Sequence, residues 1–155
     1  MDSLYWYQLS PGRLVLEWKR VKSLGRDFVL KRVLTSLYWE CETFDVPGGV
    51  AAPPLKYLVL YPDAFPALPP HVEIQSPSIS LEELGHDWHR WYNGNICYVR
   101  PSKWLVSTTA DEVIMKIEDW YFNYTAKKAG LIDKMPDVGR AQVFSEDPSA
   151  ERESQ

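Results

Sequence analysis

Tyr61-Pro62-Asp63-Ala64-Phe65-Pro66-Ala67-Leu68-Pro69-Pro70-His71-Val72-Glu73-Ile74 is a regular proline ladder that ends in a short β-rich run. Further on, Asn93-Gly94-Asn95-Ile96-Cys97 is a polar, turn-prone stretch closed by a cysteine. The ladder and the cysteine together make a two-part pattern that few folds produce, and the other elements are placed around it.

Upstream of the ladder, Ser10-Pro11-Gly12 predicts a helix start, with Ser10 as N-cap and Pro11 at the first helical position, where its missing N–H costs nothing. Leu14, Trp18, Val21 and Leu24 recur at helical spacing, and Gly25 supplies a C-cap, so the helix is expected over 11–24. Its last turns carry Lys19, Arg20 and Lys22, which complement the negative helix end and are also candidates for a basic docking surface. Three β-rich runs follow, Phe28–Leu34, Leu37–Val46 and Leu55–Leu60. Pro47-Gly48-Gly49 and Pro53-Pro54 separate the last two, and the simplest arrangement is an antiparallel meander with one face covered by the first helix. Cys41 lies in phase with Leu37 and Trp39 and reads as a buried structural thiol.

Downstream, Val72-Glu73-Ile74 is a fourth short strand, followed by an irregular stretch from Gln75 to Trp104. A connection of that length is usually functional. It holds His86, His89, Cys97, Trp88, Trp91 and Tyr92, an aromatic density that argues for a packed loop. Thr109-Ala110-Asp111-Glu112 has the form of a capping box, and Val113, Ile117, Trp120, Tyr121 and Tyr124 form a stripe running down to Lys127-Lys128 and Gly130, so a helix is expected against the sheet. The division is a domain over 1–132 and a polar, flexible tail over 133–155.

The 155 residues, 45% hydrophobic and 14% aromatic, suit one domain that buries roughly two-thirds of its unfolded surface. A net charge of −4 argues against a nucleic-acid binder and for protein partners. No apolar run approaches the ~18 residues needed to span a membrane, and Met1-Asp2-Ser3-Leu4-Tyr5 lacks the regions of a signal peptide, so the chain is expected in the cytoplasm without membrane contact. Two cysteines and three histidines make neither a disulfide framework nor zinc spacing; no metal and no cofactor are expected.

Two readings of Cys97 stand on local sequence. A thiol closing an Asn-Gly turn lies near the surface, where its thiolate can attack a carbonyl; alternatively Ile96-Cys97-Tyr98-Val99 is a buried segment with an inert thiol. Acyl chemistry also needs support for the charge that develops on the electrophile, and His86, His89, Asn93 and Asn95 are the nearby candidates. No cysteine-protease signature surrounds Cys97.

These residues resemble the ubiquitin-conjugating, or E2, enzymes. That family carries two successive aromatic-Pro pairs, then Pro-Pro, then a short strand, matched here by Tyr61-Pro62, Phe65-Pro66, Pro69-Pro70 and Val72-Glu73-Ile74. It also places a Gly three residues before the catalytic cysteine, an Ile just before it and a Trp several residues after it, matched by Gly94, Ile96 and Trp104. The resemblance covers about residues 11–130. It implies an α+β fold with an N-terminal helix, an antiparallel meander sheet of about four strands, an irregular active-site loop and a helix packed on the sheet. It further implies an acyltransferase in which Cys97 carries the C-terminus of a ubiquitin-like or other partner protein as a thioester and passes it to an amine, with an E1-like activating enzyme as a further partner docking on Lys19, Arg20 and Lys22.

The chain departs from the family in two places. The family's His-Pro-Asn triplet falls here on Asp87-Trp88-His89, so His89 takes the position of the Asn that supports the oxyanion or the loop, with His86 and Asn93 as secondary candidates. The two extra C-terminal helices of many E2 enzymes have no counterpart in the pattern. Both departures are similar to the divergent bacterial E2-like proteins of antiphage (CBASS-type) operons, where a cyclic-oligonucleotide synthase is a candidate donor. The alternative from another class is a catalytically inactive E2-fold binding module with a structural Cys97; a thiol hydrolase, with water as the acceptor, is a third.

Overall fold

The computed structural model describes residues 4–143. The first α-helix, α1 (Trp6–Leu9), is followed by α2 (Pro11–Lys22), four strands, β1 (Val29–Val33), β2 (Ser36–Thr43), β3 (Leu55–Leu60) and β4 (His71–Ser76), and finally α3 (Ala110–Lys128). The chain is thus α+β, and its strands form one antiparallel meander in the order β1-β2-β3-β4.

Period-two alternation sets the inner face of the sheet. Leu37, Trp39, Cys41 and Thr43 on β2 and Leu55, Tyr57 and Val59 on β3 are buried, while the residues between them are exposed or half-buried. The register pairs Trp39 with Val59, Cys41 with Tyr57 and Thr43 with Leu55, so these side chains stack on one face. Val113, Ile114, Ile117, Trp120 and Tyr121 of α3 join them in a single core cluster. The Thr109 N–H donates to Glu112 Oε2 at 2.8 Å, which satisfies an orphan donor and fixes where α3 begins.

Helix α2 differs from its expected stripe. Val21 is fully buried, but Trp18 is 48% exposed, and Glu17 is fully buried in its place. The reason is the neighbour: α2 crosses the start of α3, where both Glu17 carboxylate oxygens accept the Ala110 N–H, at 3.2 and 3.3 Å. A helix N-terminus favours an anion, but burial outweighs this and pushes the Glu17 carboxyl up to about 7. The Ser10 hydroxyl makes no capping bond; its carbonyl accepts from Arg13 N–H at 3.0 Å instead. The helix ends at Lys22 with Ser23 as its C-cap, two residues short of the expected end and ahead of Gly25, which follows at φ +71.

Helix α1 has no counterpart in the sequence pattern. Its Trp6 is buried against the two ladder aromatics, with ring centroids 5.0 Å from Tyr61 and 4.7 Å from Phe65. The ladder itself is a compact turn with a cis Phe65–Pro66 bond. The stretch from Gln75 to Trp104 is irregular but far from structureless: β4 runs on to Ser76, and single 3-10 turns form at Leu81–Glu83, His86–Trp88 and Pro101–Lys103.

The first part of the polar segment over 133–155 packs against α3. Met135 is 1% exposed and belongs to the core cluster. Asn123 on α3 grips the segment twice, its Nδ2 donating to the Gly139 carbonyl at 2.9 Å and its Oδ1 accepting from Ala141 N–H at 2.8 Å. Arg140 reaches Asp119 at 2.7 Å and also pairs with Asp45. One apolar anchor and satisfied polar groups are enough to seat a polar segment. Residues 144–155 lie outside the described residues. Among the described residues no helix follows α3, and none is long and apolar enough to cross a membrane.

Candidate active site

Two separate stretches meet through hydrogen bonds from aromatic tips. The Tyr98 hydroxyl donates to the Pro70 carbonyl at 2.6 Å, and Trp104 Nε1 donates to the Pro66 carbonyl at 2.8 Å. The ladder therefore acts as the seat of the cysteine loop. Ile96, 1% exposed, adds a buried plug, and its N–H donates to the Val72 carbonyl at 3.0 Å on β4. The two-part pattern in the sequence is one structural unit.

Within the loop, Trp91 N–H donates to the Asn95 carbonyl at 2.8 Å and Gly94 N–H to the Trp91 carbonyl at 2.9 Å. Gly94 sits at φ +94, the left-handed region that favours glycine. Arg90, only 8% exposed, spans this turn from inside: its Nε and Nη2 donate to the Gly94 carbonyl at 3.1 and 2.9 Å, and its Nη1 to the Glu83 carbonyl at 3.2 Å. Glu83 is itself held by Tyr124 and Lys128 of α3, each at 2.5 Å. On the opposite side, Trp120 Nε1 donates to the Trp88 carbonyl at 2.9 Å and Lys127 Nζ to the Asp87 carbonyl at 2.9 Å. The loop is thus fastened to α3 as firmly as to the ladder.

Cys97 stands half-buried at the end of this framework. Its N–H donates to the His89 carbonyl at 2.8 Å, and its Sγ lies 3.8 Å from the Val99 carbonyl. Burial pushes the thiol up, and the Val99 backbone and the Arg100 charge only partly offset this. Cys41 is buried in the sheet core, and burial pushes its thiol up as well. Cys97 lines a cleft of about 320 Å³ whose other walls include His86 and His89, Lys116 and Trp120 of α3, and the segment Met135–Gly139. A larger hollow of about 620 Å³ lies around Arg26, Cys41, Lys56 and Tyr57 at the far end of the sheet and contains none of the candidate site residues.

The structure therefore brings Cys97, His89 and His86 to one cleft. Asn93 is elsewhere: its Oδ1 accepts the Asn95 N–H at 3.0 Å in a local turn, and it does not line the cleft. His89 supports the loop through its main chain, by the carbonyl that receives Cys97 N–H. Its left-handed backbone, φ +49, turns the chain there. Arg90 and Asp137 carry no sequence signal for their parts, since one works through distant carbonyls and the other comes from a segment that reads as tail.

The basic turn of α2 is partly engaged. Arg20 pairs with Asp111 at 3.1 Å, and Lys22 Nζ donates to the Phe28 carbonyl at 2.7 Å. Among the described residues, no group of three His, Cys, Asp or Glu side chains is placed to hold a metal ion. Compared with protein-family models, curated proteins and solved structures, the chain matches none.

Proposed function

We propose that the chain is an E2-like acyl carrier in which Cys97 takes the C-terminal acyl group of a donor protein as a thioester and passes it to an amine. The observation that carries this reading is the placement of Cys97. Cys97 is half-buried and lines a cleft, while its backbone is tied to His89 and, through Ile96, to β4. A nucleophile that must accept a large acyl partner needs both access and a fixed position. The antiparallel sheet, the ladder seat and the helix behind the loop follow the order that the E2 resemblance implies.

A free carboxylate does not condense with a thiol in water, so the donor must arrive already activated, as an acyl adenylate or a thioester on an activating enzyme. In this reading the basic turn of α2 is where that enzyme docks, with Lys19 as its contact that can be changed without breaking the Arg20–Asp111 or Lys22–Phe28 interactions. The donor is a ubiquitin-like protein or, in an antiphage operon, a cyclic-oligonucleotide synthase.

The test is intact mass and non-reducing electrophoresis of wild type, Cys97→Ser and Cys97→Ala, each co-expressed with proteins encoded beside it. A reductant-labile adduct on the wild type, a reductant-stable ester on Cys97→Ser and nothing on Cys97→Ala support the reading. One observation favours a binding module with a structural Cys97: among the described residues no side-chain base is hydrogen-bonded to the sulfur. Under that reading Cys97→Ala keeps partner binding at full strength and no adduct forms with any donor.

A further inference from the structure

His89 Nε2 is buried and has no hydrogen-bond partner among the described residues. A buried imidazole nitrogen left unpaired loses its hydration with no return, so its surroundings call for a reason. Its neighbour across the gap is Asp137, whose Oδ1 lies 3.7 Å away. Asp137 belongs to the segment that Met135, Asn123 and Arg140 hold against α3, so the carboxylate is delivered to the Cys97 cleft by a chain stretch built to stay there. The remaining imidazole nitrogen, Nδ1, has no hydrogen bond among the described residues either.

We propose that His89 and Asp137 form a proton relay for the acceptor amine at Cys97. This rests on the acyl-carrier reading of Cys97 and adds what that reading lacks, a destination for the amine's proton. Asp137 is the positioning residue: closing 3.7 Å to hydrogen-bond length holds the imidazole proton on Nε2 and leaves the Nδ1 lone pair free. His89 is the catalytic residue. The neutral amine attacks the thioester carbonyl and forms a tetrahedral adduct with an ammonium nitrogen and an oxyanion. His89 takes one proton from that nitrogen, the carbon–sulfur bond breaks, an amide forms, and Cys97 leaves as a thiolate that is then reprotonated from the imidazolium or from water.

The charged and titratable groups around the pair come from every wall of the cleft. His86 meets the His89 ring edge-on at 5.5 Å, Cys97 and Arg100 follow on the loop, and Lys116 and Asp119 face in from α3, with Asp119 already engaged by Arg140. Asp137, 63% exposed at its side chain, is the carboxylate placed beside His89.

The test acylates Cys97 chemically, with the mercaptoethanesulfonate thioester of acetylglycine, so that the acyl-enzyme is made without any natural donor. Its discharge by free lysine and by hydroxylamine is then followed by intact mass, against the same thioester of N-acetylcysteine. Wild type is expected to discharge to lysine about a hundredfold faster than the free thioester, and His89→Asn, His89→Gln and Asp137→Asn to lose most of that acceleration, the scale of general base catalysis. His89→Asn is the decisive variant, because Asn tolerates a left-handed backbone and keeps a hydrogen-bond donor but cannot take a proton. Hydroxylamine, which needs little help to shed its proton, should discharge all four proteins alike, and added imidazole should restore lysine discharge to His89→Gln. If His89→Asn keeps the wild-type rate, the side chain is an oxyanion donor and the relay is overturned while the acyl-carrier reading stands. If wild type shows no acceleration over the free thioester, both fail.

Discussion

Arg90 clasps the Gly94 carbonyl with two nitrogens, Nε at 3.1 Å and Nη2 at 2.9 Å, three residues before Cys97. The clasp, more than the Asn-Gly turn, sets where the sulfur stands, because it ties the turn to Glu83 and through it to α3.

Gly94→Ala is expected to disturb the clasp from two sides. The new side chain must adopt φ +94, and its Cβ would meet Arg90 Nη2 at 3.3 Å. A loss of about 1–3 kcal/mol follows from the backbone strain. Arg90→Lys should cost a similar ~1–3 kcal/mol by leaving carbonyls unsatisfied, since an ammonium cannot span them. Urea midpoints unchanged in both variants would remove the clasp from the account.

Glu17 makes stability fall with rising pH. Its folded pKa, raised to about 7 from the ordinary 4.5 mainly by burial, means that between those values the unfolded chain has released the proton while the folded chain keeps it. Stability therefore drops through that window, by on the order of 3 kcal/mol, and levels off above it. Glu17→Gln should match wild type near pH 5 and exceed it near pH 8 by on the order of 3 kcal/mol. Parallel urea-midpoint curves for the two proteins across that range would contradict this.

The two thiols should separate cleanly by reactivity. With iodoacetamide near pH 8, Cys97 should alkylate more slowly than free cysteine, because burial raises it, and its rate should still climb as the pH passes the ordinary thiol range. Cys41, buried in the sheet, should stay unmodified until denaturant is added. Mass spectrometry of the digested protein decides it; equal labelling of both cysteines in the native state would count against this assignment.

Met135→Ala should lower stability by about 2–4 kcal/mol, the cost of truncating a fully buried side chain. If residues 133–143 were loosely attached, the thermal midpoint would barely move. Asn123→Ala, which frees the Gly139 carbonyl and the Ala141 N–H, should lower it as well.

Lys19→Glu should leave the urea midpoint within about 0.5 kcal/mol of wild type. Arg20→Glu puts a like charge beside Asp111 and should cost about 1 kcal/mol more. Equal effects of the two would show that the basic turn carries no internal ion pair.

The helices over 11–22 and 110–128 and the four strands were legible because each rests on short-range physics. Proline at a helix start, the Thr109–Glu112 capping box, and period-two alternation in Leu37-Tyr38-Trp39-Glu40-Cys41 each depend on a few neighbouring residues. Helix α1 left no such trace, since four residues are too few to show a period and its reason for folding is Trp6 against Tyr61 and Phe65. In and around the cysteine loop, the cysteine, the glycine turn and the two histidines stood out by type and spacing, whereas Arg90 and Asp137 did not.

The sequence by itself determined the order of the longer elements and the inward face of the sheet, and it set the ladder and the cysteine loop apart by their residue pattern. Only the tertiary structure decided that Glu17 is buried at the start of α3, that Trp104 and Tyr98 fasten the loop to Pro66 and Pro70, and that Asp137 arrives beside His89. The physical reason is range. Periodicity reports which face an element buries, while hydrogen bonds between distant segments, and the cost of leaving buried polar groups without them, are fixed only once those faces have packed.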